Sequence, residues 1–199
     1  MFAIRLAYTG RVMPGVTANG VYLGGLSREE AIKELEFQTS KYQTQPIEVV
    51  ALSHKQNISA EQFGVVYDNP NAVELAMATT REGWPHQMLI DQLFYLIGQG
   101  KPIASVNFKT DNLSSVALDI NSKGAKAVKN AQFVVQNGNL VIDDSQRGSR
   151  IDYSRLPGSL ANHYGMQQKD VFVVPTLTID PLLNTSILDT QKNIIEPFE

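Results

Sequence analysis

Cysteine is absent from the 199-residue sequence. That excludes disulfides, thiolate metal sites and a cysteine nucleophile within it. Long hydrophobic runs are missing too: no stretch reaches the roughly 18 apolar residues expected of a membrane span. Met1–Ala7 is apolar but much shorter, and it lacks the basic region and cleavage site of a secretory signal. There is no basic excess, with 17 Lys and Arg against 20 Asp and Glu and a net charge of −3. No nucleic acid is therefore expected as a partner, and no polybasic stripe is available for anionic lipid.

Familiar catalytic signatures are also missing. The sequence holds no GxSxG or SxxK nucleophile motif, no HExxH, and no phosphate-cradling GxxxxGK[ST] or GxGxxG. Gly158-Ser159-Leu160 lacks the second glycine of a nucleophile elbow and reads as helix interior. Imidazoles are confined to His54, His86 and His163, expected at a hairpin tip, a helix entrance and a helix end. Surface positions without metal-ligand spacing are the expectation for all of them. Candidate acid pairs for glycoside hydrolysis are Glu29/Glu30, Asp143/Asp144 and Glu61/Asp68. Helix capping explains the first, and adjacent carboxylates on a strand, such as Asp143 and Asp144, point to opposite faces. No catalytic residue, metal site or cofactor is assigned, and a non-enzymatic protein is expected.

What is present is an ordinary globular composition, 43% hydrophobic and 19% charged, long enough to bury a core. The most distinctive stretch runs from Pro14 to Ala31: Pro14-Gly15-Val16, a short apolar strand at Val21–Leu23, a Gly24-Gly25 break, then Leu26-Ser27-Arg28-Glu29-Glu30-Ala31. Ser27 stands three residues before Glu30, the capping-box spacing. Glu29 and Glu30 also place negative charge at the positive end of the helix dipole.

Pro14–Leu35 resembles the opening of the peptidoglycan-binding domain found ahead of VanW-like modules and of some L,D-transpeptidase domains, with its pattern PGV…G…GG(L/M)(S/T)…EEA…L. Ala131–Gly148 and Val171–Pro181 match later parts of that family more loosely. The resemblance implies an extracytoplasmic envelope module at the cell surface, anchored to the membrane only by a segment outside this sequence. Its implied partners are peptidoglycan and a downstream domain of the same polypeptide. The associated transpeptidase domains use a catalytic cysteine, so their chemistry is outside this chain's reach. A scaffold for protein–protein contacts without glycan affinity is the alternative.

Along the chain, the pattern predicts helices over 27–42, 71–81, 86–98, 111–123 and 153–164, and strands at 47–52, 56–59, 64–67, 103–108, 132–136 and 139–143. Ala31, Leu35 and Phe37 or Gln38 are expected on the buried stripe of the first helix, and Met88, Leu89, Leu93, Leu96 and Ile97 on that of the third. Val171–Ile179 reads as one closing strand. Asn137-Gly138 is a strong hairpin dipeptide. Together these give an α+β fold, with mixed or antiparallel sheets packed with helices. An echo of Gly25–Val50 in Gly148–Val174 leaves open two similar α+β halves. The expected organisation is a leader or first strand over 1–13, one domain over 14–180 with sub-halves 14–100 and 101–180, and a linker or the start of a next module over 181–199.

One cluster has the look of a ligand site. Trp84, the sole tryptophan, sits with Arg81 and His86, and sugar polymers are often held by an aromatic face beside hydrogen-bonding groups. A plug at the joint between two helices is the competing reading of Trp84. Tyr153 and Tyr164 are expected as half-buried struts.

Overall fold

A computed structural model describes residues 9–79 and 85–195, and the backbone only over 85–89 and 192–195. In chain order its elements begin with β1 (Thr17–Ala18), β2 (Val21–Tyr22), α1 (Arg28–Thr44), β3 (Pro46–Ala51), β4 (His54–Ser59) and β5 (Val65–Tyr67). Next come α2 (Asn69–Ala78), α3 (Pro85–Leu96), β6 (Val106–Phe108), α4 (Thr110–Gly124), β7 (Gln132–Gln136) and β8 (Asn139–Asp143). The series ends with β9 (Gly148–Ile151), α5 (Leu156–Gly165), β10 (Phe172–Val173), β11 (Thr176–Ile179) and α6 (Thr185–Ile195). The fold is α+β: helices with small sheets in the orders β1-β2, β10-β3-β4, β5-β6, β7-β8 and β9-β11.

By contact the chain divides into two units interleaved in sequence. The first comprises Met1–Val49, Gln56–Val116 and Pro157–Phe172; the second comprises Val50–Lys55, Ala117–Leu156 and Val173–Glu199.

In the first unit the Pro14–Ala31 element is the centre of the core. Asn19 and Gly20, both at positive φ (45° and 73°), turn β1 into β2, with Thr17 opposite Tyr22 and Ala18 opposite Val21. This is the turn geometry that Asn-Gly favours. Val12, Val16, Ala18 and Leu23 are fully buried, packed with Ala31 and Leu35 of α1 and Ala72, Val73 and Ala76 of α2. Small residues on α2 let the helices approach closely. The Ser27 cap forms as its spacing requires: Ser27 Oγ accepts from the Glu30 N–H at 3.3 Å, and the Glu30 carboxylate accepts from the Ser27 N–H at 2.8 Å. These bonds hold the Glu30 carboxyl below its ordinary pKa. α1 stops at Gln45 because Pro46 pushes it into extended backbone.

The buried stripe of α1 is Ala31, Leu35, Thr39 and Tyr42. Phe37, an expected member, is instead 55% exposed and carries the Lys41 ammonium 4.6 Å from its ring centroid. The end of α5 is also sunk in this unit. Tyr42 Oη donates to the Gln168 carbonyl just past the helix, and Tyr67 Oη donates to the Tyr164 carbonyl, which also accepts from the Gln167 N–H. Tyr164 is fully buried between Phe63 and His163 rather than half-buried, whereas Tyr153, 44% exposed, is half-buried as expected. His163 is buried too, against the surface expectation, because Tyr164 and Phe172 enclose its ring edge-on.

In the second unit, Asn137 and Gly138 turn the β7–β8 hairpin at positive φ, with Gln136 opposite Asn139. α6 packs on both strands of that hairpin. The Asn130 carboxamide oxygen accepts from the Leu182 and Leu183 N–H groups, fastening the approach to α6. β9 pairs antiparallel with β11, Ile151 opposite Thr176. The expected closing strand is interrupted: β10 and β11 are separate, joined through Val174-Pro175, and Pro175 has no N–H to continue a ladder. Helix α5 begins at Leu156, not Tyr153, because the Asp152 carboxylate first takes the N–H groups of Ser154 and Arg155 in a local turn.

A cleft beside helix α3 as the candidate functional site

Of the cluster expected around the sole tryptophan, Arg81 and Trp84 lie outside the described residues. His86 falls in the first turn of α3, and its side chain is likewise outside them. The residues flanking that stretch form a cleft of about 660 Å³ in the first unit. Leu75, Ala78 and Thr79 from the end of α2 make one wall, and Asp91, Phe94 and Tyr95 from α3 another. Gln99, Gly100 and Lys101 complete it.

The rotation of α3 is what gives the cleft its chemistry. Tyr95 faces inward, 8% exposed, with Gln92 beside it at 7%. Gly15 packs on the Tyr95 backbone so closely that a Cβ there would lie 1.9 Å from the Tyr95 carbonyl oxygen. A Cβ on Gly100 would lie 2.0 Å from the Tyr95 ring. The Tyr95 hydroxyl donates to the Lys101 carbonyl at 2.8 Å, and burial, with the nearby Asp91 charge, raises its pKa. The helix ends with Gly98 at φ 75°, its N–H on Tyr95 O and that of Gln99 on Phe94 O, a Schellman closure. With Tyr95 fixed inward, Leu93, Leu96 and Ile97 turn outward, at 55%, 48% and 57% exposure. This reverses the buried side expected for them: periodicity locates a stripe but not the direction it faces.

The cleft offers a half-exposed Phe94 ring, the Asp91 carboxylate, the Lys101 ammonium, and the Thr79 and Gln99 side chains. An aromatic face with donors and acceptors around it suits a hydroxyl- and amide-rich ligand. Asp91 is the one carboxylate among its described lining residues, whereas carboxylate-pair glycoside hydrolysis needs two. The acid pairs noted in sequence are held elsewhere. Asp68 caps α2 by accepting from the Asn71 N–H. Asp143 bonds Lys129 and Gln132, which lower its pKa. Among the described residues no group of three or more His, Cys, Asp or Glu is placed to hold a metal ion.

Within the cleft's unit lies a polar relay that sequence reasoning missed. Asn19, fully buried, accepts from the Ser105 N–H at 2.8 Å and donates to Asn69 Oδ1 at 3.2 Å. Asn69 donates to Thr39 Oγ1, which donates to the Leu35 carbonyl. The backbone of Asn19 donates to Ile103 O at 2.7 Å. The Asn19-Gly20 dipeptide was the available signal. The chain matches no protein-family model, no curated protein and no solved structure.

Proposed function

We propose that this chain is a non-catalytic, extracytoplasmic module of the cell envelope that holds wall polymer in the α3 cleft. In its protein it stands between a membrane anchor and a downstream VanW-like or transpeptidase domain. The observation that carries the reading is the cleft itself, with Phe94 beside Asp91, Gln99 and Lys101. The resemblance of Pro14–Leu35 to the peptidoglycan-binding family supports it, since the residue types in that pattern serve the fold directly, through the Gly15 contact, the Asn19-Gly20 turn and the Ser27 cap. No described helix is long and apolar enough to cross a membrane.

Co-sedimentation with isolated sacculi tests this. The protein pellets with sacculi, releases no muropeptides, and pellets at least several-fold less as the Asp91→Ala/Lys101→Ala double variant. Failure to pellet at low and moderate salt removes the wall-binding reading. A second reading, a protein–protein scaffold without glycan affinity, is favoured by the exposed apolar side of α3. Under it the double variant pellets no differently from the parent protein.

A further inference from the structure

We propose that the outward stripe of α3 pairs with the same stripe of a second copy of this chain, antiparallel, about a twofold axis between Leu93 and Phe94. The stripe is Ile90, Leu93, Phe94 and Ile97, spaced i, i+3, i+4, i+7 on one helical face. Their exposures are 52%, 55%, 45% and 57%. Ile97 continues the helix, its N–H bonded to Leu93 O at 3.1 Å. Leu75 and Leu96 extend the patch at 45% and 48%. At roughly 200 Å² per large side chain, these six expose on the order of 600 Å² of apolar surface, the upper end of what a monomer carries. A stable pair needs about 800 Å² from each partner, so the patch supplies most of one half-interface.

The choice of a second copy follows from the residues. A twofold axis between positions 93 and 94 sets Ile90 against Ile97 and Leu93 against Phe94 of the other helix, apolar on apolar throughout. Asp91, the only charged residue of α3, is mapped onto Leu96, so the two carboxylates do not oppose each other. A membrane surface fits poorly, because α3 contains no Lys or Arg and interfacial helices are rich in both. A glycan fits Ile90, Leu93 and Ile97 poorly, because aliphatic side chains offer it no hydrogen bonds. The pairing does not rest on the wall-binding reading, but the two share an edge: Phe94 and Leu75 also line the cleft, whereas Ile90, Leu93 and Ile97 do not, so variants at Leu93 and Ile97 separate them.

Sedimentation equilibrium on the full chain, from about 1 to about 100 µM, tests it. The expected result is a concentration-dependent rise from 22.0 kDa toward twice that mass. Leu93→Asp and Ile97→Asp each weaken the dimer at least tenfold while leaving the far-ultraviolet circular dichroism unchanged, since both side chains are already exposed. A wild-type protein that stays at 22.0 kDa throughout overturns the proposal without reference to any variant. So does a dimer that both variants leave intact, or a monomer that instead binds neutral lipid vesicles through Leu93.

Discussion

Removing the side chain of Asn19 should cost more stability than any single surface change in the first unit. Three effects add in Asn19→Ala. The residue sits at φ 45°, and a left-handed backbone costs an ordinary residue roughly 1–2 kcal/mol. The Ser105 N–H, bonded to Asn19 at 2.8 Å in a residue 8% exposed, is left without that acceptor. Asn69 Oδ1, 6% exposed as a residue, loses its donor. Each orphaned buried group costs about 1–3 kcal/mol, so with the backbone contribution the loss is about 3–8 kcal/mol against a typical total of about 5–15. Asn19→Gly keeps the backbone freedom and should lose roughly 1–2 kcal/mol less than Asn19→Ala. Urea unfolding followed by circular dichroism measures both, with unchanged m-values as the check that the comparison is sound. If both variants fall within about 1 kcal/mol of wild type, the relay is not a keystone and its bonds add little to the fold.

Other consequences are equally open to measurement. Gly15→Ala drives a methyl into the Tyr95 carbonyl at a φ of 86°, so it should destabilise by at least about 2 kcal/mol in the same urea assay. Ser27→Ala removes the Glu30 N–H acceptor and should cost about 1 kcal/mol, seen as a lower urea midpoint with no change in fold. Burial holds the His163 pKa below its ordinary value, against opposing pulls from Gln168 and Asp170. The unfolded chain therefore binds more protons between the folded pKa and about 6.5, and stability falls as pH drops through that window. His163→Gln should flatten this part of the profile, and an unchanged slope would refute the assignment.

How far the sequence revealed the fold depended on the range of the interaction. The capping box, the Asn137-Gly138 turn, the stop before Pro46 and the α+β class are local, so spacing and turn chemistry exposed them. The inward rotation of α3 is different. Its apolar positions are visible, but Tyr95 is held by Gly15, eighty residues earlier, and nothing within α3 announces that contact. The same holds for His163 and Tyr164, enclosed by Phe172 and Phe63. Asn19 is a turn residue and also a hub, because its partners Asn69 and Ser105 are brought to it only by packing. The site residues expected from sequence, Arg81, Trp84 and the His86 side chain, lie outside the described residues, and the cleft is lined by others. Its described lining comes from residues whose roles, Asp91 and Lys101 above all, are set by how α3 is rotated.

Wall binding in the α3 cleft is tested most sharply by heteronuclear NMR on the labelled chain, titrated with solubilised peptidoglycan fragments. Saturable amide shifts should concentrate at Thr79, Asp91, Phe94, Gln99 and Lys101, and be lost in the Asp91→Ala/Lys101→Ala variant. Spectra unchanged by the fragments, or shifts confined to the second unit, would contradict it.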